Sequence, residues 1–100
     1  MEFVDAYQLF REFYTSLGMP LRALIEFKAR RAGRNPGEVF QKPWLFLRYV
    51  EEALGRHNAE LISTLFVEFV RRRRIYAQSA AEALWSEEGW RRFLQELGGV

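Results

Sequence analysis

Four consecutive arginines, Arg71 to Arg74, stand between the apolar run "FVEFV" and the pair Ile75-Tyr76. A guanidinium presents a planar fork of donors that matches the oxygens of phosphates and carboxylates. The chemistry suggested is therefore anion recognition. Four successive helical residues span about 300°, so the four cannot share one surface. Glu68 lies three and four residues before Arg71 and Arg72 and is expected to pair with one of them. Arg73 continues the Ile62–Phe66–Phe69 stripe, and its stem is expected to lie over the edge of the core.

A second basic segment supplies Arg22, Arg30, Arg31 and Arg34. Residues 22–34 carry a net +4 and residues 56–76 a net +3, while the stretches around them are mildly acidic. If a fold brings the two segments together, Arg22, Arg30, Arg31, Arg34, Arg71, Arg72 and Arg74 form one positive face. Such a face holds the backbone of DNA or RNA through neutralised phosphates and released counterions, without reading bases. The competing reading pairs these arginines with the thirteen acidic residues, within the chain or between copies. Arg91 and Arg92 beside Glu87 and Glu88 already suit that pattern. The basic side comprises thirteen arginines and two lysines, a bias that a GC-rich or thermophilic genome also produces.

Other chemistry finds little footing. His57 is the single histidine and there is no cysteine. Thiolate metal sites, disulfides and cysteine nucleophiles are excluded, and His57 lacks the partners of a metal site or catalytic dyad. Glu51-Glu52 and Glu87-Glu88 are adjacent pairs, which point about 100° apart on a helix and make no acid–base couple. Phosphate-loop, dinucleotide and nucleophile-elbow motifs do not occur. The expectation is a non-enzyme with no cofactor and no small-molecule substrate. Residues 29–39, "ARRAGRNPGEV", follow part of the spacing of a helix-turn-helix. Arg34 and Lys42 fall where apolar residues belong, however, and Pro43 cuts the second element short. The segment reads as an ordinary helical corner.

The elements that must position these residues are helical throughout, because apolar residues recur at three and four and nowhere alternate. Phe3, Tyr7, Phe10, Tyr14 and Leu17 predict a helix over about 3–17, stopped by Gly18. Pro20 restarts the chain, with Leu21, Leu24, Ile25 and Ala29 on one face and Gly33 as the end. "NPGE" at 35–38 is a start signal with Asn35 as cap. "PWLFLRYVEEALG" is apolar almost all round and predicts a central helix over 43–54. Asn58 is the expected cap of the longest helix, 58–77, whose stripe runs through Ile62, Leu65, Phe66, Phe69 and Tyr76. Leu61 and Val70 broaden that stripe. Ser79 with Glu82 has the capping-box spacing, and Ser86 is a further cap before a last helix with Trp90, Phe93, Leu94 and Leu97 inward. Gly98 and Gly99 close it, leaving Val100.

One hundred residues suit one domain. The fold expected is all-α, a compact single-domain bundle of five to six helices joined by short turns. Hydrophobic residues make up 49% and aromatics 16% of the chain, a surplus that suits contacts between copies. The N-terminus does not read as a signal peptide, and the longest apolar runs are too short to span a bilayer. These readings together predict a structural protein of the cytoplasm or of a virion that coats or packages DNA or RNA in many copies, without membrane contact. The alternative is a helical protein–protein interaction module that touches no nucleic acid.

Overall fold

The computed structural model describes residues 5–98. Its first helix, α1 (Ala6–Ser16), opens on Asp5, whose carboxylate accepts from the amides of Tyr7 and Gln8 at 2.9 and 3.4 Å. Such a cap satisfies amides that the first turn leaves without partners. Helix α2 (Met19–Arg31) follows the Gly18 link, with Pro20 in its first turn. Asn35 caps a 3-10 turn at Pro36–Phe40 by accepting from the Gly37 amide at 3.0 Å. A second 3-10 turn, Pro43–Leu45, runs directly into α3 (Phe46–Leu54).

Gly55 alone separates α3 from α4 (Arg56–Arg72), and its φ of 94° is the conformation that lets one residue reverse the chain. The 3-10 turn Gln78–Ala81 leads to α5 (Glu87–Leu97), capped by Ser86, whose hydroxyl accepts from the Gly89 amide at 3.0 Å. Among the described residues there is no strand. The described residues form an all-α bundle of five α-helices joined by short turns.

Helix α3 is one-sided: Arg48 and Glu52 are exposed, and its apolar face turns inward. Phe46, Leu47, Tyr49, Val50 and Ala53 are buried, and α3 packs on α2 and most extensively on α4. The core is built from aromatic rings meeting edge to face. Phe10 and Tyr14 of α1 meet Phe46 at 5.4 and 5.7 Å. Phe13 meets Phe66 at 5.1 Å, and Phe66 meets Phe93 at 5.7 Å. Each such pair adds about 0.5–1.5 kcal/mol beyond its buried area. Burial, and then a hydrogen bond to Glu26, raises the Tyr14 phenol above its ordinary range.

Several expectations need correction. The longest helix covers 56–72, not 58–77, and Asn58 is not its cap: its amide donates to Leu54 O at 2.8 Å. The buried face of α4 is Ala59, Ile62, Phe66 and Val70, whereas Leu61, Leu65 and Tyr76 are exposed. Helix α2 buries Ile25 and Ala29, but Leu24 points outward and Leu21 is half-buried. The 3-10 turn at Gln78–Ala81 has no cap from Ser79 or Glu82. Instead Glu96 of α5 accepts from the Gln78 and Ser79 amides at 3.1 and 2.8 Å. Phe3, Gly99 and Val100 lie outside the described residues.

Candidate nucleic-acid interface

The arginine run begins inside α4 and ends outside it. Arg71 and Arg72 close the helix, Arg73 is its cap, and Arg74 has a φ of 61°. The Arg74 amide donates to Arg71 O at 2.8 Å and the Ile75 amide to Val70 O at 3.3 Å. These two bonds are those of a Schellman motif, whose left-handed position ordinarily holds glycine. An arginine there carries a backbone cost of about 1–2 kcal/mol. The reversal spreads four consecutive guanidinium-bearing residues over the blunt end of α4 and the turn beyond it.

Each of the four meets a different environment. Arg71 pairs with Glu68 at 3.7 Å. Arg73 lies 4.3 Å over the Phe69 ring and pairs with Glu12 of α1, in keeping with a stem laid over the core edge. Arg72 and Arg74 are exposed and have no carboxylate partner among the described residues.

The second cluster sits at the end of α2 and is more fully matched. Arg30 pairs with Glu26 at 3.7 Å. Arg34 forms a two-pronged bond to Glu52 at 2.6 and 2.5 Å and lies over the Tyr49 ring at 5.6 Å. The Glu52 hydrogen bond, then its charge, raises the Arg34 pKa further. Arg31 rests 5.7 Å from the Phe27 ring and has no carboxylate among the described residues. Arg22 is half-buried over Tyr14, 5.7 Å from the ring, with its Nε buried and unbonded. It is a packing residue more than a surface cation.

Arg34 and the arginine run lie toward opposite ends of α4, whereas Arg22, over Tyr14, lies nearer Glu12, the partner of Arg73. Glu52, the partner of Arg34, lies just before the start of α4, whereas Arg71–Arg74 lie at its far end. Seventeen residues at 1.5 Å per residue separate those ends by about 25 Å. Two basic residues that the sequence reading passed over join the α2 cluster. Lys28 and Arg31 line a shallow recess with Glu52, and Arg48 stands exposed one turn before Glu52 on α3. Their i, i+4 spacing was the signal available for Arg48.

The acidic side of the ledger is complete. All acidic residues except Glu2 fall among the described residues, and every one of those is engaged. Glu51 and Glu60 pair with Arg56, Glu82 and Glu88 with Arg92, and Glu87 with Arg91. Glu38 accepts from Tyr49, Asp5 caps α1, and Glu96 holds the 3-10 turn. Glu12, Glu26, Glu52 and Glu68 pair with arginines as described above. Ser79, whose amide donates to it, and then the Gln78 amide hold the Glu96 carboxyl below its ordinary range. The two amides make its hydrogen bonds, while the Ser79 hydroxyl is buried without one.

The expected helical corner at 29–39 is present, but Pro36–Phe40 is a five-residue 3-10 turn, too short to serve as a recognition helix. His57 is exposed in the first turn of α4. No group of acidic or histidine side chains able to hold a metal occurs among the described residues. None of the helices described is long and apolar enough to cross a membrane. Compared with known proteins, the chain matches no protein family, no curated protein and no solved structure.

Proposed function

We propose that the protein binds the sugar–phosphate backbone of DNA or RNA through the arginine turn at the end of α4, and that several copies assemble along the strand. One observation carries this reading. Every described carboxylate is already engaged, while the exposed Arg11, Arg31, Arg48, Arg72 and Arg74 have no carboxylate partner among the described residues, and Arg72 and Arg74 stand together at the end of α4. Exposed guanidinia of this kind are open to an anion from outside the chain. A polyphosphate backbone supplies closely spaced charges without a fixed pattern, which suits guanidinia fanned around a helix end. In this reading Arg72 and Arg74 are the primary contacts, and Arg71, which shares its charge with Glu68, is secondary. Arg30, Arg31, Arg34 and Arg48 form a separate, weaker patch, since Glu26 and Glu52 compete for its charge.

The assembly half of the proposal draws on α2. Met19, Ala23, Leu24 and Phe27 share its outer side, and Met19 and Phe27 are 61% and 53% exposed. That stripe also favours a second reading, a helical interaction module docking another protein, in which nucleic acid plays no part. Fluorescence anisotropy with labelled oligonucleotides at low salt separates the two. The proposal expects binding by the native chain and strong loss in the double variant Arg72→Ala/Arg74→Ala. Absence of binding to every oligonucleotide would overturn it in favour of the interaction module. Sedimentation velocity tests the assembly: Phe27→Glu should reduce the size of the complexes formed on a long strand without abolishing binding to a short one.

A further inference from the structure

Immediately beyond the arginine run the chain exposes an aromatic ring beside a cleft. Tyr76 is 77% exposed, more than any other described large hydrophobic residue, in a protein that buries most of its rings. It borders a cleft of about 260 Å³ whose apolar wall includes Val70, Ile75 and Ala80 and whose polar groups are Arg71 and Gln78. The Schellman reversal at Arg74 creates this arrangement. It ends α4 abruptly, turns Ile75 back toward Val70, and leaves Tyr76 on the outside. Burial does not explain the tyrosine, and the turn does not require an aromatic residue at that position.

We infer that this cleft takes an unpaired base, so that the α4 end binds single-stranded nucleic acid in preference to duplex. The inference rests on the backbone-binding reading proposed above and names the form of nucleic acid it selects. A nucleobase has two apolar faces, a polar edge and a phosphate tether, and the site offers a counterpart for each. The Tyr76 ring and the aliphatic wall suit the faces, and the amide of Gln78, both donor and acceptor, suits the edge. The unmatched Arg72 and Arg74, four and two residues earlier, suit the phosphates. Stacking on an exposed aromatic beside a cationic track is the general means by which proteins hold single strands with little sequence preference. A duplex keeps its bases stacked inside and presents only phosphates, so it engages the arginines and leaves the cleft empty.

The test compares anisotropy of a labelled single-stranded 12-mer and the same sequence as duplex, for the native protein, Tyr76→Ala and Tyr76→Phe. Circular dichroism confirms that each variant is folded, which the exposure of Tyr76 leads one to expect. The expected result is tighter single-strand binding by the native protein, lost about tenfold in Tyr76→Ala and retained in Tyr76→Phe, with duplex affinity unchanged in both. If Tyr76→Ala binds both forms as the native protein does, the base cleft is wrong while the backbone-binding reading stands. If Tyr76→Ala weakens both forms equally, the ring belongs to a general contact surface and the cleft is again wrong. If the native protein binds neither form, both readings fall together.

Discussion

Arg74 joins conformation to charge more closely than any other residue here. A left-handed position at a helix end favours glycine because a Cβ crowds the backbone there. The chain holds an arginine at that position, with no carboxylate partner among the described residues. Arg74→Gly should therefore raise stability by about 0.5 kcal/mol, the relief of crowding less the extra entropy of an unfolded glycine. The same substitution should weaken oligonucleotide binding. Opposite movement of the denaturation midpoint and the affinity is the expected signature, and parallel loss of both would contradict it. Residue-scale features of this kind were legible where spacing along one helix decides them. The Glu68–Arg71 pair and the placement of Arg73 over Phe69 follow from three- and four-residue intervals. The freedom of Tyr76 did not follow, because it depends on where α4 stops.

At the scale of elements, the last third of the chain is clamped by contacts between segments. Gly89 of α5 sits against the backbone of Glu82: a Cβ there would lie 2.3 Å from the Glu82 carbonyl oxygen. Backbone cannot yield as a side-chain tip can, so Gly89→Ala should cost about 1–3 kcal/mol in chemical denaturation. Full native stability in that variant would show that α5 is free to shift. Glu96 ties the same region from the other end of α5. Its carboxyl titrates below the ordinary value of 4.5 because the folded state favours the ionised form. It therefore stabilises the fold above that pH, and the contribution is lost as pH falls through the depressed value. Glu96→Gln should be less stable at neutral pH and show a shallower loss of stability on acidification, measured by thermal melts across the acid range. An unchanged pH profile would contradict this role. The Ser86 and Asn35 caps were readable from sequence because each bonds an amide two or three residues on. The Glu96 cap was not, since its partners lie 17 and 18 residues away and meet it only through packing.

For the whole molecule, the periodicity of apolar residues led directly to an all-α bundle; the helix expected over 43–54 begins only at Phe46, after a 3-10 turn, and exposes Arg48 and Glu52. The aromatic surplus went largely into that core, where Phe66 touches both Phe13 and Phe93. Phe66→Ala should cost about 3–5 kcal/mol by leaving a cavity where three elements meet. Charge placement was less legible. Net charge by segment located the two basic stretches, but whether they meet depends on the direction in which α4 runs, and Arg34 and the arginine run lie toward its opposite ends. Glu26 and Glu52 then pair with Arg30 and Arg34 of the α2 cluster, while Arg72 and Arg74 at the α4 end have no carboxylate partner among the described residues.

The central claim is that the arginines without carboxylate partners carry the binding, and the salt dependence of affinity tests it most directly. The logarithm of the association constant for a duplex falls linearly with the logarithm of salt, with a slope of about −0.9 per phosphate neutralised. Removing Arg72 and Arg74 together should make that slope shallower by about 1.8. Removing Arg91 and Arg92, which are matched to Glu82, Glu87 and Glu88, should leave it unchanged. Equal slopes for the native protein and Arg72→Ala/Arg74→Ala, or an equal change from the matched pair, would contradict the claim.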